Sequence, residues 1–182
     1  MSDGTFLVSL TGQIESVDIL APSGSAWHCK YEFVTGPDWK IIGGLEAGVS
    51  QTSNVVVNGA LVVFNLPIEI NFKSTNLYGW PQIVVSVYRG VQLEGYGRAH
   101  MPLRPGMHRV DVALGKPQAS SLLGYMGAFF GYQPELLQPK MLATTAGNHL
   151  IQMLSHGEVR ISVNVVMQGV RSLGYDFGRG KD

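Results

Sequence analysis

The chain has 182 residues, with 13 basic and 13 acidic side chains and no formal net charge. That length suffices for one domain with its own core, and the charge balance excludes a phosphate-neutralising nucleic-acid binder and a strongly basic membrane arm. Charged residues are only 14% and hydrophobic ones 45%, a weakly charged composition that points to a surface partly covered by partners.

Taken in chain order, residues 6–17 start as a strand, with Phe6, Val8 and Leu10 on one face, and then meet Gly12, where a bulge is expected to shift the phase. Residues 27–34 set Trp27, Cys29, Tyr31 and Phe33 against His28, Lys30 and Glu32. A weaker strand is read at 46–51. The clearest signal is 61–72: Val62, Phe64, Leu66, Ile68, Ile70 and Phe72 share one face, with Pro67 marking an edge or a bulge. Further strands are read at 82–88 and 94–102. At 108–114, Val110, Val112 and Leu114 alternate with Arg109 and Asp111, and at 159–168, Val159, Ile161, Val163, Val165 and Met167 repeat the pattern. Turn signals such as Asn58-Gly59 and Arg104-Pro105-Gly106 separate them. Roughly eight short alternating strands predict an all-β antiparallel sandwich in a single domain spanning 1–182; a barrel suits them too but is less common at this size. Residues 115–157 break the rhythm and read as an irregular or partly helical insertion, with Leu122, Leu123, Met126, Phe129 and Phe130 near helical spacing.

The chemistry of an enzyme is missing from the pattern. Gly115-Lys116 runs into Pro117, so no phosphate loop forms, and Gly95-Tyr96-Gly97 lacks the third glycine of a dinucleotide fingerprint. His100 and His108 could clip a metal across the turn between them, but without a third ligand two half-exposed strand histidines are the better reading. Acidic residues are spread singly, which speaks against a catalytic dyad and against calcium. Cys29 is the one cysteine, so no intrachain disulfide or thiolate cluster forms. No catalytic residue, metal or other cofactor is expected. Nor is a signal peptide, an apolar run long enough to span a membrane or a lipid anchor, and the chain reads as intracellular and soluble.

Three stretches resemble the B9-domain family: residues 64–88 (FNLPIEINFKSTNLYGWPQIVVSVY), 95–106 (GYGRAHMPLRPG) and 171–178 (RSLGYDFG). Shorter ones at 12–16 (GQIES), 29–33 (CKYEF) and 44–51 (GLEAGVSQ) look like the first of its three members. The resemblance covers essentially the whole chain and is poorest at 115–157. It implies a C2-like sandwich and a non-enzymatic component of the ciliary transition zone on the cytoplasmic side of the ciliary base. The partners it implies are other B9-domain proteins (B9 domain-containing protein 2 and the Meckel syndrome type 1 protein) and transition-zone membrane proteins. The competing reading is a calcium-independent peripheral lipid-binding module.

Two groups of residues are candidates for contact. Leu122, Leu123, Met126, Phe129 and Phe130 form an apolar set for partner docking; residues 118–138 carry no Lys or Arg, so a membrane-surface helix is disfavoured. Trp39, Lys73, Tyr78 and Trp80 lie in segments that either present aromatics to a partner or bilayer or plug one end of the sandwich. Arg98, Arg104, Arg109 and Lys73 could offer a basic surface for acidic head groups, but a solvated face is the better reading.

Overall fold

In the computed structural model, residues 4–55, 59–117 and 153–175 are described. Long alternating segments become long strands: β1 (Phe6–Ala21), β2 (Ala26–Val34), β6 (Gly59–Ser74), β7 (Gln82–Arg89), β8 (Gln92–His100), β9 (Gly106–Pro117) and β10 (Met153–Gln168). Three short ones, β3 (Lys40–Gly44), β4 (Ala47–Val49) and β5 (Ser53–Asn54), bring the described strands to ten. All pairings are antiparallel and run in the order β3-β6-β1-β10-β9-β8-β7-β2-β4, with β5 beside β2.

The expected sandwich is therefore one curled sheet closed over its own core. The only register pairs between β8 and β9 are Tyr96 with Gly115 and Gly97 with Leu114. On one side of that joint, Phe6, Val8, Leu10, Ile68, Ile70, Phe72, Ile161 and Val163 point inward; on the other, Trp27, Tyr31, Phe33, Ile83 and Val85 do. The halves meet through edge-to-face aromatic contacts such as Phe33 on Phe72, at 5.9 Å between ring centroids.

The alternation read at 61–72 holds, with Val62, Phe64, Ile68, Ile70 and Phe72 buried. Gly12 does not carry the bulge. The register of β1 shifts between Ile14 and Ser16, with Glu15 as the extra residue against β10. Gly12 is needed for a different reason: a Cβ there would lie 2.0 Å from the Ser162 carbonyl oxygen of β10. Glycine lets the two central strands approach, while the phase changes three residues later.

β3 was not read from the sequence, because Ile41 and Ile42 are both exposed and give no alternation. Its position explains the shape. β3 pairs with β6 and β4 with β2, with only Leu45 and Glu46 between them. Leu45 N–H donates to the Glu69 carbonyl at 2.9 Å and Phe33 N–H to the Glu46 carbonyl at 2.8 Å. Residues 40–49 thus form a strap tying together the two outer edges of the curled sheet, covering strand edges that would otherwise invite aggregation.

Candidate interaction surface

One end of the sheet is built from two loops, 35–39 and 75–81. The Gly36 N–H donates to the Gly79 carbonyl at 2.8 Å, and Gly79 sits at φ +69 with Gly36 packed against it. The Trp39 indole N–H donates to the Tyr78 carbonyl at 2.8 Å, and Asn76 bonds Asp38 through its side-chain amide at 2.8 Å. Trp39 packs edge-on against Trp80 at 5.2 Å and Phe6 at 5.5 Å, and the Trp80 N–H donates to the Met101 carbonyl at 2.9 Å.

This geometry sorts the loop candidates. Trp39 and Trp80 are buried and plug the end of the core, so neither indole is presented as a contact surface. The physical reason is their hydrogen bonding: each ring finds a carbonyl for its N–H inside the end of the sandwich and loses nothing by burial. Tyr78 is 78% exposed at the apex of the stitched loops. Lys73 is half-buried at the end of β6, opposite Leu7 and Lys40. The apolar set Leu122, Leu123, Met126, Phe129 and Phe130 lies outside the described residues.

Lys73 does not gather with Arg98 and Arg109. Lys73 on β6 is separated in the sheet from Arg98 on β8 and Arg109 on β9 by β1 and β10. Asp111 draws in both Arg109, at 3.4 Å, and Arg160, at 3.5 Å. His108 does not meet His100; its ring nitrogen lies 2.8 Å from the Arg104 carbonyl in its own turn. Among the described residues no three His, Cys, Asp or Glu side chains group closely enough to hold a metal ion, and no helix is long and apolar enough to cross a membrane.

The strap is a surface that alternation did not reveal. Ile41, Ile42, Leu45 and Val49 are all 40% exposed or more along ten residues. The run Lys40-Ile-Ile-Gly-Gly-Leu-Glu-Ala-Gly-Val49, apolar yet without a period, is the signal that could have found it. A groove of about 430 Å³ flanks it on the outer face of β2 and β7, lined by Lys30, Glu32, Val49, Val84, Ser86 and Tyr88. Within it the Lys30 ammonium lies over the Tyr88 ring, 4.8 Å from its centroid, and His28 stacks on the same ring at 5.0 Å. Burial, and then Lys30, hold the His28 imidazole below its usual pKa. A smaller hollow of about 190 Å³ on the opposite outer face is lined by Leu7, Ser9, Ile42, Asn71 and Val166.

Inside the core, Cys29 is fully buried, and burial raises its thiol pKa to about 12, against a small opposing effect from the Ser50 hydroxyl. Such a thiol is inert packing rather than a nucleophile.

Comparison with known proteins adds the relatives. A family model described as "Ciliary basal body-associated, B9 protein" matches residues 8–166. The chain is 41% identical over 180 residues to B9 domain-containing protein 1 of Xenopus laevis, covering 95% of this chain and 90% of the relative. It is 40% identical over 184 residues to the human protein of the same name, covering 97% and 89%. It is 28% identical over 166 residues to B9 domain-containing protein 2 of Mus musculus, covering 88% and 93%.

Proposed function

The chain belongs to the B9-C2 family of ciliary basal body-associated proteins, and from that premise we propose that it is a non-enzymatic assembly component of the ciliary transition zone. In this reading it binds other B9-domain proteins, B9 domain-containing protein 2 and the Meckel syndrome type 1 protein, together with membrane proteins of the ciliary gate. It thereby supports ciliogenesis and controls entry of membrane proteins into the cilium. It works at the cytoplasmic side of the ciliary base.

The observation that carries the reading is the apolar strap. Ile41, Ile42, Leu45 and Val49 lie exposed on a chain with no net charge. Contiguous exposed apolar side chains on a neutral chain suit a protein neighbour better than an acidic bilayer, whose binding rests on converging cations. The lipid reading rests on Tyr78 at its loop apex and on basic residues that stand apart. The set Leu122, Leu123, Met126, Phe129 and Phe130 is proposed as a second docking element.

Co-expression with the two B9-domain partners tests the reading. Wild type should co-purify with them, and Ile42→Ser with Leu45→Ser should reduce recovery about tenfold or more at unchanged melting temperature. Phe129→Ser with Phe130→Ser should weaken recovery independently. Undiminished complexes from all four substitutions, together with charge-dependent pelleting of the isolated chain on acidic liposomes, would overturn assembly in favour of lipid binding.

A further inference from the structure

Four charged or titratable side chains converge away from the strap and the stitched loops. Glu94 is 4% exposed. The Lys116 ammonium donates to its Oε2 at 2.8 Å, and the His156 Nε2 lies 3.2 Å from the same oxygen. The Arg89 Nε stands 2.8 Å from Oε1. These partners come from β9, β10 and β7, while Glu94 is on β8. Burial alone would raise the Glu94 pKa, but Lys116, Arg89 and His156 outweigh it and hold the carboxyl below its ordinary range.

Two bulges create this meeting. On β8, Gly95 pairs with Val87 and Leu93 with Tyr88, leaving Glu94 as the extra residue. On β10, Ser155 pairs with Gly115 and Gly157 with Leu114, leaving His156 as the extra residue. A bulge re-aims the side chain it carries. Here one bulge in each half of the curled sheet turns a titratable group toward the other half.

The meeting point lies at the joint. β7 and β8 share eight register pairs, and β9 and β10 share twelve. Between β8 and β9 there are two, Tyr96 with Gly115 and Gly97 with Leu114. Lys116 directly follows that short ladder. Backbone pairing alone gives the two halves little attachment along this seam.

We propose that Glu94, held by Lys116, His156 and Arg89, is an ionic latch that closes the β8–β9 joint and sets how readily the two halves of the curled sheet part there. Among the described residues the carboxylate is the only acid in the cluster, so its charge closes every arm at once. The latch governs local opening of the joint and adds to global stability, most of which the apolar core supplies.

Hydrogen exchange on the full chain tests this, read on peptides covering 93–98 and 112–116 and compared with peptides from β1 and β6. In Glu94→Gln, exchange at the joint should quicken about tenfold or more, well beyond any increase in β1 and β6. Should Glu94→Gln fail to fold, Arg89→Gln and His156→Gln each remove one arm and should give smaller increases confined to the same peptides. An increase spread evenly over joint, β1 and β6, or none at the joint in any variant that folds, would overturn the latch.

Discussion

Replacing Gly79 by alanine separates two contributions to the end of the sheet. Gly79 has φ +69, and a Cβ there would fall 2.3 Å from the Gly36 Cα and 2.6 Å from its nitrogen. Both are backbone atoms, so relief requires parting the two loops. The left-handed backbone alone disfavours alanine by about 1–2 kcal/mol. Parting the loops also threatens the bond from Gly36 N–H to the Gly79 carbonyl and that from the Trp39 indole to the Tyr78 carbonyl, each contributing about 1 kcal/mol. The expected loss is roughly 3–4 kcal/mol in all. Gly24 supplies the control: its φ is +75, yet nothing lies within 4 Å of a Cβ, so Gly24→Ala should lose only the backbone contribution, about 1–2 kcal/mol. Urea unfolding of both variants followed by tryptophan fluorescence gives the two values. Equal losses would refute the claim that close packing of Gly36 on Gly79 holds the end together.

Ile68→Asp places a carboxylate on the inner face of β6, where Ile68 is buried; the domain should fail to fold, and a melting temperature near wild type would overturn the register given for that strand. Cys29 should resist an aromatic disulfide reagent in the native state and react stoichiometrically in denaturant, because its thiol is buried with a pKa near 12; rapid native labelling would contradict that burial. The His28 pKa is lowered from 6.5 in the folded state, so the unfolded chain takes up the proton first and stability should fall as pH drops below about 6.5. Glu94 has the same sign in a lower window: its contribution is full above the unfolded carboxyl value of 4.5 and is lost as pH falls through its depressed folded value. Urea titrations at stepped pH should therefore show His28→Gln flattening the first decline and Glu94→Gln the second.

The parts legible in the sequence are those where one face is buried and the other wet. Val62 to Phe72 and Val159 to Val165 announce their strands because period two is imposed by a core on one side only. β7 is buried on both faces from Ile83 to Tyr88, and its apolar run marks a strand without saying which residues face the core. β3 fails differently: it lies at the rim and pairs with β6 through few residues, leaving Ile41 and Ile42 outside. For the loop tryptophans, plug and contact are even readings for Trp39 and the plug is the better one for Trp80, because composition does not say whether an indole N–H will find a carbonyl indoors. Trp39 and Trp80 each do.

The ionic cluster was hidden for a related reason. Glu94, Lys116 and His156 are far apart in sequence, and in an unbroken ladder strand parity would not have aimed both Glu94 and His156 at the seam. Each bulge breaks parity once, and two breaks on strands in opposite halves of the sheet restore a shared direction. A bulge leaves almost no mark in composition when its extra residue is an ordinary Glu or His rather than a glycine. Glycine is the familiar sign of a bulge, yet Gly12 serves close strand approach, while bulges fall at Glu15, Glu94 and His156 and, on β3, at Ile42. In a curled sheet with so short a seam, Glu94 and His156 hold together what alternating hydrophobics cannot specify: they mark where one half of the sheet stops and the other begins.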